Sequence, residues 1–365
     1  MTWFYDPRAT YEDNLAHGPF GAFAADAGAD ADAGPSPAVA PAEELPTLSF
    51  LGRPVCRPFG IPAGPLVNAA FCEAAFAHAF DIAVYKTVRT GAHPSHPFPN
   101  CLAVRTAGPL DPGRLDTLVA DSALDAARSI SNSFGVPSRD PDAWQPDMAR
   151  AVAAAGAGQV LVGSFQGTRG PGGEDAYVAD HVHAAALCVE AGAPVLEMNL
   201  SCPNEGTGAL LCFDTRLVAR IAGAVKEEVG DVPLVLKLAH FPTDEALDAL
   251  LRATSPLVDG YAAINTVPAR LVTDEGRPAL PGRGREVAGV CGEAIAPAAL
   301  AMVRRLAAWR ADAGAGFAIV GVGGVMDTAG VAAHVAAGAD AVMSATGAMI
   351  DPLLGRRVAA VSWPR

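Results

Sequence analysis

From about residue 50 onward the chain repeats one unit eight times, a short apolar run followed by a helical pattern. The runs are FGIPAG around Gly60, IAVYKT around Tyr85, VLVGSF around Val162 and VLEMNL around Leu196. LVLKLA around Leu236, YAAINT around Ala263, AIVGVGG around Val320 and AVMSAT around Val342 follow. Each has the length and continuous apolar character of a parallel strand buried on both faces. Between them lie stretches such as TRLVARIAGAVKEEVG, where Leu217, Ile221 and Val225 recur every four residues. That spacing predicts an amphipathic helix, with Asp214 placed to cap it. Eight strand–helix units predict an α/β fold, a closed (β/α)8 TIM barrel. Hydrophobic residues make up 51% of the chain and charged residues 18%, enough apolar material for such a core.

Two segments depart from the repeat. Lys86 and Ser164 end successive predicted strands, yet more chain separates them than the roughly 30 residues of a βα unit. An insertion between strands 2 and 3 is therefore expected, placed where barrels build their active sites, as a cover for substrate. Residues 1–49 form an N-terminal extension to the barrel of residues 50–365. Its first 23 residues carry Trp3, Phe4, Tyr5, Tyr11, Phe20 and Phe23 and are expected to dock on the body. The Ala/Asp/Pro-rich stretch after them reads as a flexible linker.

The net charge of -13 argues against nucleic acid as a partner and against adhesion to an anionic membrane. The seven cysteines include no CxxC pair, which gives no disulfide framework and no metal site, and suits a reducing cytoplasm. The N-terminus lacks the basic and apolar blocks of a signal peptide, and no apolar run reaches membrane-spanning length.

The ends of the runs carry the chemistry. Lys86, Asn199, Lys237 and Asn265 close four of them, and such side chains converge on one mouth of a barrel. A lysine that ends an apolar run needs an anionic or electron-rich partner. VGVGGV (Val320–Val325) and SATGA (Ser344–Ala348) form small-residue turns after the last two strands, where barrels place phosphate sites. NLSCPN (Asn199–Asn204) packs two amides, a hydroxyl and a thiol into six residues, and the Cys202 thiol can act as nucleophile or base once deprotonated. Cys212, in GALLCFD, reads as core. His93 and His96 read as a solvated turn between prolines.

These strings resemble the dihydroorotate dehydrogenase family, which shares its barrel with the pyrimidine half of dihydropyrimidine dehydrogenase. The resemblance runs from about residue 50 to the C-terminus. NLSCPN is similar to the active-site loop of the soluble, cysteine-dependent class; the quinone-linked class has Ser in place of Cys202. NSFGVPS (Asn132–Ser138) resembles the family's substrate turn, with Ser138 in place of Asn. GVCGEAI (Gly289–Ile295) resembles a flavin-contacting segment, with Cys291 where Ser or Gly is usual. The resemblance implies FMN held by Ala63, Gly64, Lys86, Thr87, Asn132, Asn199, Lys237, Asn265, Gly292, Gly323, Gly324, Ala345 and Thr346. It implies a substrate ring gripped by Asn132, Asn199, Asn204, Asn265 and Thr266, and a carboxylate met by Lys86 and the amides of Phe134, Gly135 and Val136. Cys202 would take the C5 proton of dihydroorotate, the C6 hydride would pass to flavin N5, and Lys237 would stabilise charge there. The implied acceptor is fumarate, or NAD through a separate subunit, and the implied assembly a homodimer. Three other readings stay open at this point: an oxidoreductase of another dihydropyrimidine such as uracil, thymine or a specialised metabolite, a non-catalytic flavin-binding barrel, and a barrel lyase or isomerase acting on a sugar phosphate.

Overall fold

A computed structural model of the chain describes residues 3–24, 48–200, 210–358 and 363. The eight apolar runs form eight strands: β1 (Phe59–Ile61), β2 (Ile82–Val88), β3 (Val160–Phe165), β4 (Val195–Asn199), β5 (Leu234–Leu238), β6 (Gly260–Ala263), β7 (Ala318–Val322) and β8 (Ala341–Met343). Each pairs in parallel with the next, and β8 returns to β1, so the predicted (β/α)8 barrel closes. Helices cover its outside. In the one over Thr215–Val229, the Asp214 carboxylate accepts from the Leu217 amide at 3.0 Å, and Leu217, Ile221 and Val225 are buried as their spacing predicts.

The barrel interior is apolar through its lower half. Ile82, Val84, Val160, Val162, Val195, Val235, Val320 and Met343 belong to one buried cluster. A hairpin, Leu48–Phe50 paired with Arg53–Val55, sends Phe50 and Val55 into the same cluster. The Cys56 amide donates to Gly158 O just ahead of β3, which places this plug at the amino ends of the strands. The opposite end is left for chemistry.

The insertion between β2 and β3 is present, and it has a partner that the sequence analysis missed. The segments Ala103–Val104, Thr117–Asp121 and Ser129–Asn132 come from that insertion, while Val267–Val272 and Val287–Gly292 follow β6. Together they close a small five-stranded barrel beside the mouth of the large one. Val287–Gly292 runs antiparallel to Ser129–Asn132, with Val290 opposite Ser131, and so holds the strand that leads into the NSFGVPS turn.

The N-terminal residues lie on the barrel. Trp3, Phe4, Tyr5, Tyr11 and Phe23 are buried. Phe4 stacks on Phe23 with ring centroids 4.3 Å apart and meets the edge of Phe71. Buried Asn14 clasps the segment, accepting from the Asp6 amide and donating to Asp6 O and Thr10 O. Nearly all of the linker reading falls on residues 25–47, outside the described residues. Emptying this aromatic contact removes a fully buried ring, so Phe4→Ala is expected to destabilise the protein by about 3–5 kcal/mol. Urea denaturation of the two proteins measures this, and a change below about 1 kcal/mol would mean the segment is not packed as described.

Candidate active site at the carboxyl ends of the barrel strands

Side chains two apart on a strand share a face. On four adjacent strands the interior changes character at one such step. Val84 is followed by Lys86, Val162 by Ser164, Val195 by Glu197 and Val235 by Lys237, and all eight are buried. Ser164 Oγ lies 2.9 Å from Thr87 Oγ1 and 3.3 Å from Glu197 Oε1. Between Tyr85 and Val88 the pairing of β2 with β3 shifts register, and both Lys86 and Thr87 line the cavity above. Burial holds the Lys237 ammonium below the usual lysine range, and the Glu197 carboxylate pulls it part of the way back. Above this layer Asn199 Nδ2 donates to Gln166 Oε1 at 2.8 Å.

The NSFGVPS turn forms one wall. Ser129–Asn132 delivers Asn132 to the cavity, and the chain then passes through left-handed conformations at Gly135 (φ 79°) and Val136 (φ 53°). A β-branched residue there is strained, so the surroundings must hold it. Arg89 Nε donates to Val136 O at 3.1 Å, and the His96 amide donates to Phe134 O at 2.9 Å. Buried Arg285 donates to Ser133 Oγ, Ser133 O, Pro97 O, Pro99 O and Pro281 O. His93 and Ser138 exchange backbone hydrogen bonds at 2.8 and 2.9 Å. The HPSHP segment is thus more than a solvated turn: Pro94 and Pro97 are exposed, but its backbone bridges to the NSFGVPS turn at His93 and Ser138, and the half-buried His96 ring packs on Gly135. Among the described residues the amides of Phe134, Gly135 and Val136 donate to no acceptor. All three residues line the cavity. Consecutive free amides in such a turn form a concave anion site.

The last two strand ends form another wall. Ser344 Oγ donates to Val325 O at 2.6 Å and accepts from the Ala348 amide at 3.0 Å, locking the loops after β7 and β8 together. A Cβ on Gly324 would lie 2.3 Å from that of Ala296, so only glycine permits this approach. Ala345 and Thr346 then line the cavity, as do Ala63 and Gly64 after β1. Gly64 has φ 142° and open space where a side chain would stand.

The cavity measures about 1180 Å³, part of it open to solvent. It brings together Ala63, Gly64, Lys86, Thr87, Asn132, Phe134, Gly135, Val136, Asn199, Lys237, Asn265, Thr266, Ala345 and Thr346. Gly292, Gly323 and Gly324 do not line it: a Cβ on Gly292 would run into the backbone of Arg128 and Ser129, one on Gly324 into Ala296, and one on Gly323 into the side chains of Ala299, Ile264 and Ile295. Cys202 and Asn204 lie outside the described residues. Cys212 is buried, as expected of a core residue. Sequence reasoning missed Glu197 and Gln166, both polar residues in or beside apolar runs, and that embedding was the available signal. It also missed Tyr5, Tyr11 and Cys101, for which nothing in their local sequence points to a cavity.

The profile of a family described as dihydroorotate dehydrogenase matches residues 124–359. The chain belongs to the dihydroorotate dehydrogenase family. It is 31% identical to dihydroorotate dehydrogenase of Dictyostelium discoideum, over 97% of this chain and 95% of that protein. It is 30% identical to the catalytic subunit of dihydroorotate dehydrogenase B (NAD(+)) of Solidesulfovibrio magneticus, over 48% of this chain and 55% of that one. The crystal structure of DHODH from Eimeria tenella in complex with ferulenol has the same fold, with a TM-score of 0.65 over 86% of this chain and 82% of that one, at 18% identity. Family membership makes the chain an oxidoreductase. No helix among the described residues is long and apolar enough to cross a membrane.

The turn's geometry yields a direct test. A Cβ on Gly135 would sit 2.5 Å from His96 Nε2, at a φ that disfavours any side chain. Gly135→Ala is expected to cost about 1–3 kcal/mol in chemical denaturation while leaving the far-ultraviolet circular dichroism of the folded barrel intact. An unchanged midpoint would show that the turn is not held against His96.

Proposed function

We propose that this protein oxidises (S)-dihydroorotate to orotate with FMN as cofactor and Cys202 as general base, in the manner of the soluble, cysteine-dependent class. The observation that carries the reading is the trio of free amides at Phe134, Gly135 and Val136 in a cavity that Lys86 also lines. A carboxylate accepts charge-assisted hydrogen bonds from such a set, which fixes one end of the substrate. Asn132, Asn199, Asn204, Asn265 and Thr266 then meet the ring, whose edge alternates N–H donors and C=O acceptors. An amide side chain offers both kinds of partner.

The donors around the cavity suit FMN. The exposed backbone at Ala63 and Gly64, the Thr87 hydroxyl and the glycine-tightened loops carrying Gly323, Gly324, Ala345 and Thr346 would hold it, with Gly292 behind them. Lys86, Asn132, Asn199, Lys237 and Asn265, which line the same cavity, serve both cofactor and substrate. When bound, FMN supplies the acceptor for the hydride that leaves C6. Lys237 contributes positive charge where negative charge develops, and the Glu197 carboxylate opposes the lowering that burial imposes on that ammonium. Cys202 takes the proton from C5. Two thiols on the cavity wall, Cys101 and Cys291, are poor candidates for the base: burial pushes Cys101 well up and Cys291 up to about 11, so both stay protonated at neutral pH.

The acceptor in this reading is fumarate, or NAD through a separate subunit, and the protein works as a cytoplasmic homodimer. Purified protein is expected to show flavin absorption and to bleach when mixed anaerobically with dihydroorotate. Cys202→Ala should keep the flavin but bleach about 10²–10⁴-fold more slowly, the usual contribution of a positioned base. Bleaching at the wild-type rate would remove Cys202 from this role. Bleaching by dihydrouracil but not by dihydroorotate would replace the substrate. Reoxidation by fumarate, against NAD with the partner subunit, separates the two acceptors.

A further inference from the structure

The cavity has a wall from the N-terminal extension. Tyr5 and Tyr11 line it together with the barrel residues. Both rings stand edge-on to Phe134, at centroid distances of 5.9 and 6.2 Å, so they buttress the residue that opens the row of free amides. Tyr5 is 3% exposed. Its hydroxyl is sealed from solvent and has no hydrogen-bond partner among the described residues. The neighbours that face the ring are Phe71, Phe134, Tyr11 and Cys101, with Asp6 and Glu12 on its own segment. None of them satisfies the phenol. An orphaned buried hydroxyl costs about 1–3 kcal/mol relative to a satisfied one, so a ligand that accepts from it would recover that cost. Burial pushes the phenol further up from its usual range, and so it stays a donor at every physiological pH.

We propose that the N-terminal segment is a fixed wall of the substrate site, in which the Tyr5 hydroxyl donates a hydrogen bond to the anionic ring substrate beside the Phe134–Val136 amides. This rests on the substrate reading above and deepens it. The donor suits the ligand chemistry: Lys86, Lys237 and the three amides already make this an anion-binding cavity, and a phenol adds a donor without adding charge. Tyr11 acts as a positioning residue through Phe134. The consequence is that substrate selection depends on a segment outside the barrel.

The test compares flavin-loaded wild type with Tyr5→Phe, which removes one oxygen and keeps the packing. Orotate is titrated against the flavin spectrum, steady-state kinetics are run with dihydroorotate, and melting is followed with and without orotate. The expected result is an orotate Kd raised about tenfold or more, the loss of one hydrogen bond to a charged ligand. KM for dihydroorotate should rise more than kcat falls. The ligand-free melting temperature should hold or increase, because the deleted hydroxyl had no partner, while the stabilisation by orotate shrinks. An orotate Kd within twofold of wild type overturns the proposal, as does a drop in ligand-free melting temperature with affinity unchanged, which would make Tyr5 structural only. Should Tyr5→Phe not fold, the hydroxyl has a structural partner, and the proposal also fails. If wild type is neither bleached by dihydroorotate nor shifted by orotate, the substrate reading itself falls. Normal wild-type behaviour with an unaffected variant removes only the role of Tyr5.

Discussion

Everything at this site depends on a single step inside the barrel, where valine gives way to charge and hydroxyl on four neighbouring strands. Below the step, Val84, Val162, Val195 and Val235 fill the barrel as a dry core. Above it, Lys86, Ser164, Glu197 and Lys237 are buried and need polar partners. An isolated ammonium in such a place would shed its proton. The Glu197 carboxylate offsets that tendency at Lys237, and the Ser164 and Thr87 hydroxyls complete a connected polar layer. The layer is stable only as a unit, since removing one member leaves another buried and unpaired. The apolar half supplies the rigidity that holds it.

The turn at Phe134–Val136 shows a different economy. Its left-handed backbone at Val136 is unfavourable by itself, and its amides are left without acceptors. Arg285, Arg89 and the backbone of His93 and His96 hold it from behind, using carbonyl groups rather than carboxylates. The choice has an electrostatic result. Arg285 has no carboxylate partner among the described residues, so its positive charge is not cancelled locally and adds to the attraction for anions.

Much of this was legible in the sequence because the barrel repeats. Eight apolar runs gave eight strands, and the polar residues that closed them, Lys86, Asn199, Lys237 and Asn265, do meet at one cavity. What was not legible falls into two kinds. Glu197 sits inside an apolar run, and periodicity alone treats it as an outlier rather than as the partner of a lysine one strand away. The strand Val267–Val272 contains Pro268, which demotes a strand reading, and its pairing with Thr117–Asp121 joins residues far apart in the chain. Tyr5 and Tyr11 belong to the second kind: aromatic content predicts docking, while the place of docking is a tertiary fact. Cys202 and Asn204 were singled out by motif alone.

The small five-stranded barrel is made jointly by two excursions, one after β2 and one after β6. Neither can close a sheet alone, and each would leave an unpaired strand edge if its counterpart were shortened. The two excursions therefore form one inheritable module despite their separation in the chain. Exchanging only the first between relatives would strand the edge that carries Ser129–Asn132, while exchanging both together would transplant the anion-binding turn with its own support.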